Sequence, residues 1–175
     1  MKQKTPLKAK ITLKASKNLT AKKVLKKTPK KHTIGWYKKE TRKWFNTAIK
    51  YRDSVYTDDG WVFDCVTCNT KVLFKDREGR TYRNAQAGHF QPEIYSNTRF
   101  DELNVNAQCG MRCNKLGLGE QIKYARAIDS KYGDGVAVNL EKESSVDKQW
   151  TIPELEEIIH DSKETVAFYI GKESA

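Results

Sequence analysis

The 175-residue sequence predicts an α+β domain whose short strands are held by a metal clamp, with a helix on each flank and a basic tail in front. Three observations predict it. All four cysteines fall in two closely spaced pairs, Cys65 with Cys68 and Cys109 with Cys113. Short apolar runs bounded by turn residues lie before and between those pairs. Apolar residues recur every three or four positions over residues 34–55 and again after Pro153, the helical period.

Residues 1–33 contain no acid and no aromatic residue. Of the 33 Lys and Arg in the chain, 12 lie in residues 1–31, and the other 21 face all 22 Asp and Glu. The net charge of +11 therefore belongs to this segment. So polar a stretch cannot offset its ordering entropy by burial, so it is expected to be disordered in isolation. Its self-repulsion asks for a polyanion, and an arm releasing counterions from nucleic acid is the expected use. A purely solubilising leader is the alternative.

The folded domain is expected over residues 34–175: a helix over 34–55, a metal-bearing core over 61–133 and a helical part over 134–175. The first helix presents Tyr37, Thr41, Trp44, Ala48, Tyr51 and Val55 on one stripe, with Phe45 and Ile49 beside it. A turn follows at Asp58, Asp59 and Gly60. The run 61–63 leads to Cys65. The run 71–74, a polar turn with Gly79, and Thr81 with Tyr82 read as a hairpin that the first cysteine pair precedes. Residues 84–90 read as a strand ending at Gly88 and His89, and 91–101 as a polar loop. The second cysteine pair forms a knuckle, with a helix starting near Asn114 that runs on to Tyr132 and stops at Gly133. Thr151, Pro153 and Glu154 form a capping box. Leu155, Ile158, Ile159, Ser162, Val166 and Tyr169 then mark one face of the last helix. His160 and His32 read as surface histidines.

No apolar run is long enough to span a membrane, and no apolar segment follows the first lysines as a secretory leader would. A reducing, cytoplasmic location is expected, where cysteines more often bind metal than pair. Two short-spaced pairs brought together by folding supply four thiolates for one tetrahedral zinc. Cys65 and Cys68 have the usual two-residue gap. Cys109 and Cys113 have three, with Gly110 to ease the bend. Two disulfides are the rival arrangement. A strand-borne His89 facing Asn114 also has a chemical use: a neutral imidazole takes a proton from water, and an amide oxygen ligates Mg²⁺ or Mn²⁺. Taken alone, each reads more readily as a satisfied polar side chain.

The order Cys-x2-Cys, Gly-His, Asn-x4-Cys, then Cys-Asn resembles the HNH nucleases in their zinc-containing treble-clef (ββα-metal) form. The segments AGHF at 87–90, NTRFDELNVNAQC at 97–109 and CN at 113–114 more specifically resemble the NinG (Rap) recombination proteins of lambdoid phages. The likeness extends over about residues 34–170. It implies a metal-dependent DNA endonuclease acting on branched recombination intermediates, Holliday junctions or D-loops, in the cytoplasm of a bacterial host. A zinc-clamped DNA-binding accessory protein without cleavage is the alternative. The resemblance makes His89 the general base, Asn114 a ligand of the catalytic Mg²⁺ or Mn²⁺, and Asn104 a loop-fixing residue. It makes Cys65, Cys68, Cys109 and Cys113 the structural zinc set. Many HNH enzymes carry an aspartate just before the histidine, where this chain has Gly88. A second ligand would then be water, Asp101, Glu93 or Gln86. Arg99, Arg112 and Lys115 are candidate DNA contacts, Arg99 equally a loop brace. A two-fold branched substrate would suit a homodimer.

Deleting residues 1–31 is expected to weaken DNA binding and flatten its dependence on salt while leaving the fold intact. Binding titrations across a salt series would check it, and an unchanged slope would refute the arm.

Overall fold

The computed structural model describes residues 32–171. The expected tail therefore lies, up to Lys31, outside the described residues. Thr33, counted with that tail, instead caps the first helix. Its hydroxyl accepts the Trp36 amide at 3.3 Å, and the His32 ring stacks on Trp36 with centroids 3.7 Å apart. Helix α1 (Ile34–Arg52) buries Thr41, Phe45, Ala48, Ile49 and Tyr51, most of the expected stripe. It stops three residues short of the expected end. Asp53 turns its carboxylate to the Ala107 amide at 2.8 Å, and Ser54 closes the last turn by donating to the Lys50 carbonyl. Val55 consequently lies on a strand, exposed.

Strands β1 (Ser54–Thr57), β2 (Gly60–Asp64) and β3 (Lys71–Asp76) form an antiparallel sheet in that order, with Phe63 opposite both Ser54 and Val72. The first cysteine pair occupies the turn between β2 and β3, rather than preceding a hairpin made after it. Thr81 adds only a single bridge to Lys75. The inward residues Trp61, Phe63, Val72 and Phe74 pack with Tyr51, whose ring meets Trp61 and Phe74 edge-on at 5.1 and 5.0 Å.

A second, two-stranded antiparallel sheet pairs β4 (Ala85–His89) with β5 (Val105–Cys109), placing Ala85 opposite Cys109 and His89 opposite Val105. Strand β5 is buried at every residue, including Asn106 and Gln108. After it comes a π-helical turn (Gly110–Leu116), closed by the Gly117 amide on the Arg112 carbonyl five residues back at 2.8 Å. Helices α2 (Gln121–Tyr132), α3 (Val136–Ser144) and α4 (Ile152–Gly171) complete the order. Gly133 ends α2 where expected. The capping box forms at α4: the Glu154 carboxylate accepts the Thr151 hydroxyl and amide, which hold its pKa down to about 2.

Helices α1 and α4 run side by side in the same direction, since their contacts advance together. Tyr37 donates to Glu156 at 2.7 Å, Thr41 lies against the Leu155 carbonyl, and the Tyr51 and Tyr169 rings stack. Between them and β5 lie Phe45, Ile49, Phe100, Val105 and Leu155. Phe90, Tyr124, Ile128 and Leu140 join α2 and α3 to the end of β4. Among the described residues, no helix is long and apolar enough to cross a membrane.

A polar network joins α1, β5 and α2. Asp53 bonds Arg52 at 2.9 Å and Lys131 at 2.9 Å, while Asn106 Oδ1 accepts from Lys131 at 2.8 Å and the Tyr132 hydroxyl at 2.7 Å. Burial alone would raise the Asp53 carboxyl. Arg52 outweighs it, helped by Lys131 and the Ala107 amide, and the group sits below its ordinary value. A depressed folded pKa contributes stability above the unfolded pKa of about 4 that is lost as pH falls through the folded value. Asp53→Ala removes the carboxylate that Arg52, Lys131 and the Ala107 amide share and should destabilise by about 1.5–3 kcal/mol. Urea titration at pH 7 and at pH 3 would check both, the variant's deficit shrinking at the lower pH.

Candidate metal centre and the cleft beside it

The four cysteine sulfurs lie within 4.8 Å of one another, and those of Cys68 and Cys109 are 3.9 Å apart. A tetrahedral zinc about 2.3 Å from each sulfur asks for sulfur separations of about 3.8 Å. The donors are soft, few and convergent, so they fit a structural metal such as zinc. All four are free thiols, which sets aside the two-disulfide rival. Burial, and the nearby Cys109 and Cys68, push the Cys113 thiol up to about 12. Such crowding is relieved by a cation that takes all four as thiolates. The hydroxyls of Thr67 and Thr70, each 3.3 Å from a sulfur of Cys65 and Cys68, complete the surroundings. The wide π turn explains the second spacing. It absorbs the extra residue between Cys109, which ends β5, and Cys113 inside the turn.

Beside the clamp opens a cleft of about 280 Å³, lined among others by Arg42, Asn46, His89, Glu93, Asn114 and Leu118. His89 and Asn114, far apart in sequence, thus meet on one cavity. His89 ends β4, and its Nε2 lies 3.0 Å from the Arg99 carbonyl. A carbonyl only accepts, so Nε2 carries the proton and the lone pair of the neutral ring is on Nδ1. Burial lowers the imidazole pKa, and the carbonyl bond offsets only part of that, so the ring is neutral near pH 7. Asn114 was expected at a helix start, but it sits in the second half of the π turn. Its Nδ2 donates to Gln86 Oε1, which leaves its Oδ1 for another partner. Gly110 serves this bond more than the bend, because a Cβ there would meet the Gln86 side chain at 2.9 Å.

The other candidates separate cleanly. Glu93 lines the cleft and pairs with Arg42 at 3.0 Å. Asp101 does not line it, and its carboxylate accepts the Leu103 amide at 2.7 Å. Gly88 has no room for a carboxylate: a Cβ would stand 2.2 Å from Gln108 Oε1 and 3.0 Å from Gln108 Cβ. Asn104 is fully buried. It accepts the Gln91 amide and donates to the carbonyls of Gln91 and Thr98, which pins the loop between β4 and β5. Arg99 braces the same loop through Nε on the Glu93 carbonyl at 2.8 Å. Arg112 and Lys115 are exposed on the π turn.

One cleft residue, Asn46, escaped the sequence reading; it lies on α1 one helical turn after Arg42. Asn46 Oδ1 is buried with no hydrogen-bond partner among the described residues. The only signal was an asparagine set between the buried Phe45 and Ile49 stripe and a cationic face. Gln86 counted as a weak metal ligand and proves to be the residue that orients Asn114.

A family model described as Bacteriophage Lambda NinG protein matches residues 1–168. No curated protein and no solved structure matches the chain.

Metal analysis of protein purified without added metal should find about one zinc per chain. Cys113→Ser should release it and lower the melting temperature sharply, since binding free energy here is folding free energy.

Proposed function

The chain belongs to the NinG family, and from that premise we propose that it is a metal-dependent DNA endonuclease acting on branched recombination intermediates of the Holliday-junction or D-loop type. The observation that carries the reading is the pairing, on one cleft, of a neutral His89 with its lone pair on Nδ1 and an Asn114 with its oxygen free. The order β4, β5, π turn and α2, with four convergent cysteines beside it, supports reading the core as a treble-clef ββα-metal (HNH) unit. Phage recombination in the cytoplasm of a bacterial host is the setting that fits, and a homodimer would match a two-fold junction.

His89 Nδ1 accepts a proton from the attacking water, and the Arg99 carbonyl holds the ring in the tautomer that does so. Asn104 acts indirectly, by fixing the loop that carries Arg99. Asn114 Oδ1, with Glu93 and Asn46 Oδ1 on the same cleft, would supply oxygen donors for a hard divalent cation. Mg²⁺ or Mn²⁺ bound there would offset charge on the phosphodiester and stabilise the leaving oxygen. Arg42, Arg112 and Lys115 contact phosphates, which sets affinity and orientation more than base sequence. A second reading, a zinc-clamped DNA-binding accessory protein without cleavage, is favoured by Gly88 and by the engagement of Glu93 with Arg42.

Incubating wild type and His89→Ala with four-way-junction and linear DNA, in Mg²⁺ or EDTA, separates the two. The wild type should nick in Mg²⁺ only, and the variant should lose about 10²–10⁴-fold in rate with binding kept. Binding by the wild type without metal-dependent nicking would leave only the accessory reading. Because burial lowers the His89 pKa, the base form persists as pH drops, and the acid limb of the rate profile should lie below pH 6.5.

A further inference from the structure

Leu118, at the mouth of the cleft, is the most exposed large apolar residue among the described residues, at 84%. It does not stand alone: Leu116, the last residue of the π turn, and Ile122, in the first turn of α2, are 77% and 71% exposed on either side of it. The backbone that carries Leu118 is held on both sides by hydrogen bonds. The Gly117 amide bonds the Arg112 carbonyl at 2.8 Å, and the Gly119 amide bonds the Cys113 carbonyl at 2.9 Å. The Gly119 carbonyl takes Gln108 Nε2 at 3.0 Å, and Gln108 also donates to Thr67 in the first cysteine knuckle. The backbone on both sides of Leu118 is thus bolted to the four-cysteine clamp.

Its conformation is costly as well. Leu118 has φ 49°, in the left-handed region that a leucine disfavours, although both its neighbours are glycines that would adopt it freely. Glu120, two residues on, shares this conformation at φ 53°, so the loop carries strain at two side-chain-bearing positions. Arg112 and Lys115 lie exposed in the adjoining π turn. A subunit interface is depleted of charge at its centre, whereas apolar tips set among cations match a nucleic acid, with phosphates outside and bases within.

We propose that Leu118 is a rigid apolar wedge that enters the base stack of DNA at a branch point. It holds the strands apart while the neighbouring phosphate lies at His89. Bases at a branch are already partly unstacked, so the wedge inserts there at lower cost than in continuous duplex. This makes the cleft selective for branched DNA. The inference deepens the nuclease reading and rests on it.

The test uses a four-way junction carrying 2-aminopurine at the branch, with the full chain bearing His89→Ala so that no strand is cut. Its fluorescence should rise on binding, the rise should be lost when Leu118→Ala is added, and Leu118→Met should restore it. In the chain with His89 intact, Leu118→Ala should lower the ratio of junction to linear cutting about tenfold. An unchanged fluorescence rise, or no rise with either protein, overturns the wedge. A wild-type dimer that Leu118→Ala turns into a monomer would assign the patch to a second copy and overturn it too. Absence of metal-dependent cutting by the wild type defeats the nuclease reading instead, and the fluorescence arm reads the wedge without it.

Discussion

Four sulfurs drawn within 4.8 Å of one another are the constraint on which the remaining geometry depends. They tie the turn between β2 and β3 to the end of β5 and to the π turn, elements more than 40 residues apart in the chain. One apolar cluster joins the two sheets as well, with Phe63, Val72 and Phe74 packed in it beside Ala85 and Ala107. The clamp also reaches the cleft by two short routes. One is covalent, from Cys113 to Asn114. The other runs by hydrogen bonds from Thr67 through Gln108 to Gly119. Rigidity at the cysteines therefore becomes placement at the cleft, with no intervening flexible loop.

Much of this was legible in the sequence, for identifiable reasons. Strong periodicity marked α1 and α4, and the cysteine spacing marked the clamp. Thr151 and Glu154 announced a cap that the structure forms. Gly133 stopped α2 as a glycine at a helix end should. What stayed hidden has a physical cause in each case. Strand β5 received no assignment from the sequence, because Asn106 and Gln108 interrupt its apolar pattern and are buried against distant partners, Lys131 and Tyr132 for one, Thr67 and Gly119 for the amide nitrogen of the other. Helical periodicity ran through to Val55 because nothing local reveals that Asp53 is claimed by the Ala107 amide. The π turn is invisible to a reading in steps of three and four.

The cleft divides its labour between backbone and side chain. His89 takes its tautomer from a backbone carbonyl, and that carbonyl belongs to a loop pinned by Asn104 and Arg99. Asn114 takes its orientation from Gln86, and Gln86 needs the bare backbone of Gly110 to pass. His89 and Asn114 are thus each set by neighbours whose own polar groups are already engaged. This is why the sequence located His89 and Asn114 by type and order but gave no sign of Gln86 as a support or of Asn46 as a neighbour.

Gly88 and Gln108 contend for one volume. Gln108 cannot swing aside, since it is fully buried and its amide is tethered at both Thr67 and Gly119. An aspartate at 88 becomes sterically admissible only after 108 has been cut back, and cutting it back severs the strut between the knuckle and the cleft wall. Substitutions at 88 and 108 are therefore expected to couple rather than add, and a carboxylate that reaches the cleft without that cost comes from another segment, as Glu93 does.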